Sequence, residues 1–331
     1  MKHLLIDKSL NFYKANLHCH TTLSDGKMTR EEVKELYKKN GYSVVAFTDH
    51  EHLIDNSDLN DENFLTITSA ELGIKEFPKQ STLKNLKMKC CHLNVYSSDP
   101  HYTVTPCYSS MYDHYVNDLN RHLIKFDKEF KRVHTTRGIN KIIREANKRG
   151  FLVSFNHPSW SLETEKDYIG LEGLWAVEIY NHSVVAHGGR GDEHVFEEMT
   201  RAGKSVFCTA ADDNHKSDDT CGGFTVINAE KLDYDTIFNA LRFGYFYSST
   251  GPEIKSLVFE DGKVYFECSD CVKVSLVTEG RRRNAILGER ITEGSFEIKE
   301  NDGYFRLVFR DEKGNLTWSQ AYDLEDLEIR N

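Results

Sequence analysis

Residues 15–48 read ANLHCHTTLSDGKMTREEVKELYKKNGYSVVAFT, and the physical signals in that stretch come in the order strand, helix, strand. Ala15 to His20 is a short strand candidate. Thr29-Arg30-Glu31-Glu32 then forms a capping box, in which a hydroxyl and a carboxylate satisfy backbone N–H groups at the start of a helix. Val33, Leu36 and Tyr37 recur at helical spacing, and Gly41 supplies the left-handed residue that ends the helix. Ser43 to Thr48 is the β-branched and aromatic run of the next strand.

The same alternation continues from about residue 12 to 250 and predicts an α/β fold of βα units, building a parallel sheet or barrel. Seven strands are expected: Ala15 to His20, Ser43 to Thr48, Phe64 to Glu71, Lys89 to Tyr96, Phe151 to Asn156, Trp175 to Tyr180 and Ser205 to Ala210. Helices are expected at Gly138 to Lys148, Glu193 to Arg201 and Tyr234 to Arg242, each followed by a glycine. Between His101 and Arg137 lies an insertion rich in His, Tyr, Asp and Lys, whose second half (Tyr112 to Lys131) predicts a helix or two covering one edge of the barrel mouth. From Ser256 onward the pattern turns to alternation, with Asp261-Gly262 as a hairpin turn, so residues 256–331 read as a small all-β sandwich-like domain after a barrel domain of residues 1–255.

Composition narrows the function classes. No run of about eighteen apolar residues occurs, and the N-terminus mixes Lys, Asp and His into its apolar positions, so neither a membrane span nor a secretory signal is expected, and a cytoplasmic protein is. A formal charge of -10 disfavours a grip on extended nucleic acid, which rests on Lys and Arg neutralising phosphates. Eight cysteines without regular spacing, two of them adjacent (Cys90-Cys91), read as reduced thiols, and the single Cys268-x-x-Cys271 pair reads as structural. Arg281-Arg282-Arg283 reads as a solvated loop.

The chemistry begins at His18 and His20. Side chains alternate along a strand, so both imidazoles face one side and can bind one metal ion together. Later strands then deliver a metal-ligating residue at or near the C-terminal end, where barrel active sites form: Asp49-His50, Glu71, His92, Asn156-His157-Pro158, Glu178 with Asn181, and Asp212-Asp213-Asn214-His215. Fifteen histidines scattered by chance over 331 residues would not settle at the same end of successive strands.

These residues resemble the PHP (polymerase and histidinol phosphatase) superfamily. The matching motifs are His18-x-His20 with Ser24-Asp25-Gly26, Thr48-Asp49-His50, the lone Glu71, His92, Asn156-His157-Pro158 and Asp213-x-His215, and the resemblance spans about residues 12 to 252. It implies a distorted (β/α)7, TIM-barrel-like fold and a phosphoesterase centre of two or three divalent metal ions. One metal would take His18, His20, Glu71 and Asp213, and a second would share Glu71 and add His92 and His157. A third would use Asp25, His50 and His215, with Asp25 standing where some relatives have His.

Mixed imidazole and carboxylate ligands suit Zn, Mn or Fe. Adjacent cations lower the pKa of a bridging water and neutralise a phosphoryl group undergoing displacement. Glu71 is expected to fix the metal spacing, and Asp213 or His215 to act on the nucleophilic water or the leaving group, with the proton roles left open between them. Asp49 and Glu178 are expected to support ligands rather than ligate. Trp160, Asn181, His182 and Arg190 are candidate substrate contacts. Hydrolysis of a small phosphomonoester or nucleotide-type phosphodiester is the leading expectation, beside a nuclease acting on nucleic-acid ends and a metal-stabilised binding module without catalysis. The sequence leaves the oligomeric state open.

Overall fold

The computed structural model describes residues 2–76 and 87–329, and these divide into two compact units. The larger comprises Lys14–Phe224 with Leu232–Asp235, and the smaller takes in the chain up to Tyr13, Thr225–Lys231 and the chain from Thr236 onward. The division therefore does not follow one cut in the chain, because the N-terminal strand Lys2–Ile6 pairs antiparallel with Ile254–Glu260 far away in sequence.

The larger unit is mixed α/β. Its strands follow the order Asn11–Asn16, Val44–Phe47, Leu65–Lys75, Cys90–Tyr96, Leu152–Asn156, Ala176–Asn181 and Phe207–Ala211, the first of them entering this unit at Lys14. Pairing is parallel except at Cys90–Tyr96, which runs antiparallel to both neighbours, so the expectation of a uniformly parallel sheet is corrected there. An antiparallel neighbour needs no right-handed crossover to join it to the sheet, whereas each parallel neighbour does. Beyond the last strand, a parallel bridge joins Cys19 to Asn214, and His20 N–H donates to the Asn214 carbonyl at 3.1 Å.

Local sequence explains the helices. Thr29 Oγ1 accepts from Glu32 N–H at 3.2 Å and Glu32 Oε2 accepts from Thr29 N–H at 2.8 Å, so the expected capping box starts the helix Arg30–Lys39. Gly41 at φ 78° ends it, as Gly150 at φ 84° ends Thr136–Asn147. Glu193–Arg201 and Tyr234–Phe243 also form where the apolar spacing places them.

The insertion differs from its expectation. In place of α-helix it holds two 3-10 turns, Asp113–Tyr115 and Arg121–Leu123. Leu119 is 79% exposed and Leu123 50% exposed while Tyr112, Val116 and Ile124 are buried, so the apolar residues do not share one helical face, and Asn117, Asp118 and Asn120 favour turns. The insertion is instead anchored by Arg132. Its guanidinium meets the Glu51 carboxylate in a bidentate pair at 2.5 and 2.6 Å, and it also donates to the carbonyls of Cys107 and Gly73, each at 2.9 Å. Both partners are buried.

The smaller unit is antiparallel. The strand Lys263–Thr278 is its spine, pairing with Ile254–Glu260 through its first half, with Tyr304–Arg310 through its second, and with Arg283–Glu297. Asp261 (φ 50°) and Gly262 (φ 72°) form the expected hairpin turn, closed by the Glu260–Lys263 pair. Arg282, expected in a solvated loop, instead pairs with Asp302, its Nε donating at 2.8 Å. All eight cysteines are free thiols, and among the described residues no helix is long and apolar enough to cross a membrane.

Removing one partner of a buried ion pair strands the other charge. Arg132→Met is expected to lower stability by about 3–5 kcal/mol in urea unfolding, and the double variant Arg132→Met, Glu51→Gln to lose clearly less than Arg132→Met alone.

Candidate metal centre

The site is built around one carboxylate. Glu71 sits within the strand Leu65–Lys75 and is 1% exposed. Its Oε1 lies 3.2 Å from His18 Nε2, 3.3 Å from His92 Nδ1 and 3.4 Å from His157 Nε2, and its Oε2 lies 3.1 Å from His50 Nδ1 and 3.4 Å from His20 Nε2. Asn156 Nδ2 donates to Oε1 at 2.9 Å and fixes the carboxylate plane.

Three ligand groups surround it. His18, His20 and Asp213 bring donor atoms together, as do His18, Glu71 and His157, and His20, Asp25, His50 and His215. The first is the tightest. His18 Nε2 and His20 Nε2 are 3.2 Å apart, and Asp213 Oδ1 lies 3.2 and 3.1 Å from them. Four donors held about 2.0–2.1 Å from one cation in a tetrahedron lie about 3.4 Å from each other, so these separations are those of a ligand cage. Around Asp25 the cage is wider, with His20 Nδ1 at 3.7 Å and His50 Nε2 and His215 Nε2 each at 3.6 Å. The structure thus draws the nine sequence-predicted ligand positions into one cluster. Cys19 lies between the two histidines in sequence, is fully buried and stands outside these groups.

Asp213 Oδ1 supports a metal in this cage, because it is buried and no donor among the described residues reaches it in hydrogen-bond geometry. The other oxygen, Oδ2, is held by Asn181 Nδ2 at 3.0 Å. An acceptor left open at the centre of imidazole nitrogens is a donor set suited to a divalent cation.

A supporting layer aims the ligands. Glu178 Oε1 accepts from His18 Nδ1 at 2.9 Å, leaving Nε2 of that ring for the centre, and its Oε2 accepts from His157 N–H at 3.1 Å and Asn181 Nδ2 at 2.9 Å. Asp49 receives Thr21 N–H at 2.8 Å and Ser24 Oγ at 2.7 Å, which shapes the turn that presents Asp25. His157 Nδ1 lies 3.2 Å from Ser161 Oγ. His157 (φ 31°) and Asp213 (φ 52°) take left-handed backbone conformations that cost energy for a side-chain-bearing residue, and both lie in the cluster.

Charge follows from this packing. Burial would raise the carboxyl groups of Glu71 and Asp213, but the surrounding imidazoles, His92 and His18 foremost, hold both well below the usual range. Burial would lower His18 and His20, but Asp213 and Glu71 push both up, His20 to about 10. His50 goes the other way, held down at about 3 chiefly by burial.

The cluster opens into a cavity of about 650 Å³ whose wall includes Lys75, Lys89, Tyr115, Trp160 and His187. Trp160 is the one of the four predicted substrate contacts on that wall, with its ring 4.9 Å from His157 and 5.8 Å from His92. Asn181 has both amide ends engaged, since its Oδ1 accepts from Val184 N–H at 3.0 Å. His182 lies against Tyr180 and Gly222. Arg190 is exposed, donating to Ser159 Oγ at 3.2 Å. Lys75, Lys89, His114 and Tyr115 are wall residues that the sequence did not single out.

No protein-family model matches the chain, and none of the curated proteins does. Among solved structures, the chain is similar to a two-domain protein of Bacteroides vulgatus containing a predicted PHP-like metal-dependent phosphoesterase, at 12% identity and TM-score 0.47 over 96% of each chain. It is also similar to an amidohydrolase of Chromobacterium violaceum (13% identity, TM-score 0.39, 62% of this chain and 89% of that one). A lesion-specific endonuclease of Pyrococcus furiosus matches at 13% identity and TM-score 0.39, over 70% of this chain and 56% of that one. At these identities and scores, function rests on the side chains of this site.

Imidazoles with raised pKa are protonated at neutral pH, and a metal must displace those protons. Metal binding is therefore expected to release protons, and metal affinity to climb as pH rises from 6 toward 9, read by calorimetry in two buffers of different ionisation enthalpy. Glu178→Gln, which weakens the hold on His18, is expected to reduce metal affinity by about 10–100-fold.

Proposed function

We propose that the chain is a metal-dependent phosphoesterase that hydrolyses a small phosphomonoester or nucleotide-type phosphodiester. The observation that carries this reading is Glu71, one buried carboxylate whose two oxygens face two sets of imidazoles. A carboxylate so placed is suited to bridge adjacent cations. We read the larger unit as a distorted (β/α)7 barrel, a reading supported by the Cys19–Asn214 bridge between the segments that follow its first and last strands. The C-terminal residues 256–331 are read as a small sandwich-like domain appended to it, and the protein as cytoplasmic.

The residues divide the work. His18, His20, Glu71 and Asp213 would hold one ion, His92 and His157 with Glu71 a second, and Asp25, His50 and His215 a third, with Zn, Mn or Fe suited to this donor set. Divalent ions there would acidify a water and offset phosphoryl charge. Asn181 donates to Asp213 Oδ2 and leaves Oδ1, beside His18 and His20, without a hydrogen-bond donor among the described residues. With the third ion absent, His215, at the open side of the cluster with a side chain 36% exposed, would be free to hold a proton of the attacking water or the leaving group. Trp160, 56% exposed beside His157 and His92, offers an apolar wall to an organic leaving group.

Protein purified without chelator is expected to carry divalent metal by elemental analysis and to cleave p-nitrophenyl phosphate. Chelation should abolish turnover, and His157→Ala should cut it by at least about 100-fold with the fold retained. Undiminished turnover after complete metal removal defeats this reading.

A further inference from the structure

Glu71, Gly73 and Lys75 share one face of the strand Leu65–Lys75, because side chains alternate along it. Lys75 therefore stands about 13 Å further along the strand than Glu71, at the rim of the cavity whose floor is the ligand cluster. The residue between them is glycine, where a Cβ would stand in van der Waals contact with Tyr112 at 3.6 Å and His92 Nε2 at 3.8 Å.

The Lys75 ammonium lies over the Tyr115 ring, 4.5 Å from its centre, and hydrogen-bonds the Tyr115 hydroxyl. Tyr115 in turn lies 4.7 Å from the His50 ring. Together these contacts place the ammonium within about 9 Å of His50, one of the proposed ligands. Among the described residues Tyr115 is its one hydrogen-bond partner, and no carboxylate reaches ion-pair distance. Residues 77–86 contain no Asp or Glu. Lys89, the other lysine among the described residues of the wall, is already neutralised by Asp167.

A half-buried ammonium facing a cavity with no carboxylate at ion-pair distance among the described residues is destabilised, and burial lowers the pKa of Lys75 against a smaller opposing pull from the Cys90 thiol. An anion delivered by a ligand relieves that cost. The reacting phosphoryl group belongs at the floor, where the ligands converge, so an anion at the rim must sit on the other part of the same molecule.

We propose that Lys75, positioned by Tyr115, is a specificity-determining residue that binds a second anionic group, a phosphate or carboxylate, on the leaving-group side of the substrate. This deepens the phosphoesterase reading and rests on it. The preferred substrate is then a doubly anionic ester whose two charged groups are spaced to span from the metal cluster to the rim.

The test compares pentane-1,5-bisphosphonate with pentylphosphonate, neither of them hydrolysable, by calorimetry on metal-loaded protein. Wild type is expected to bind the bisphosphonate about 10–100-fold more tightly, the weight of one charge-assisted contact. Lys75→Gln should bring the two ligands to similar affinity while leaving pentylphosphonate binding unchanged, and Lys75→Arg should restore most of the preference. Hydrolysis of p-nitrophenyl phosphate, which carries no second anion, should persist in Lys75→Gln with KM and kcat near wild type. Equal binding of both phosphonates by wild type overturns the proposal, as does an equal weakening of both by Lys75→Gln. Absence of any p-nitrophenyl phosphate hydrolysis by the metal-loaded wild type is the separate result that removes the phosphoesterase reading itself.

Discussion

A carboxylate buried at Glu71 has no water to share its charge, and the larger unit is arranged around supplying that charge with partners. Five imidazoles approach its two oxygens to within 3.4 Å, from positions as distant in sequence as His18 and His157. Without positive charge beside it, a carboxylate at this depth would be expelled or neutralised. The imidazoles accept protons in answer, which is why His18, His20 and His92 are all raised while Glu71 stays ionised. A cluster that gathers protons so readily is a cluster in which cations can replace them, and the same geometry that satisfies one charge state serves the other.

That geometry depends on residues which never enter the cluster. Glu178 serves three of its neighbours at once, taking the back of the His18 ring, the His157 amide and the Asn181 side chain. Asp212 acts in parallel behind the last strand, accepting from Tyr37 and from the backbone of Cys221, Gly222 and Gly223. Arg132 and Glu51 fasten the insertion one residue beyond His50. Each of these groups is a buried charge with its hydrogen bonds met, so each fixes position as well as satisfying itself. The left-handed conformations of His157 and Asp213 are tolerated within this frame, where the His157 and Asp213 amides are both tied down, to Glu178 and to the His18 carbonyl.

What the sequence discloses and what it hides follow from the range of the forces involved. The strands that lead to His18, Glu71, His157 and Asp213 were legible because alternation is a local signal, and the helix capped at Thr29 was legible because capping is one too. The antiparallel course of Cys90–Tyr96 was not, since strand direction is a matter of long-range pairing that alternation along one strand does not encode. Nor was the reach of the Leu65–Lys75 strand past Glu71, which brings Lys75 to the cavity. Asn181 illustrates a further limit. Its place at a strand end suggested a substrate contact, yet Glu178, Asp213 and the Val184 amide occupy its side chain, and only the folded arrangement reveals which polar neighbours it has. Tyr115 arrives from an insertion whose apolar spacing imitated a helix, and its position beside His50 is purely tertiary.

The distribution of charge bears on what the cavity accepts. A chain at net -10 repels a long polyanion, whose binding depends on many phosphate contacts made together. Among the described residues the cavity wall carries two lysines, and Asp167 has already claimed Lys89. One cation without a carboxylate partner at the rim, above a floor of ligands, suits a small molecule with one charged group beyond the reacting phosphate. On the reading proposed above, the net negative charge would work against large anions at a distance and Lys75 would choose among small ones by contact, so the two would act in the same direction.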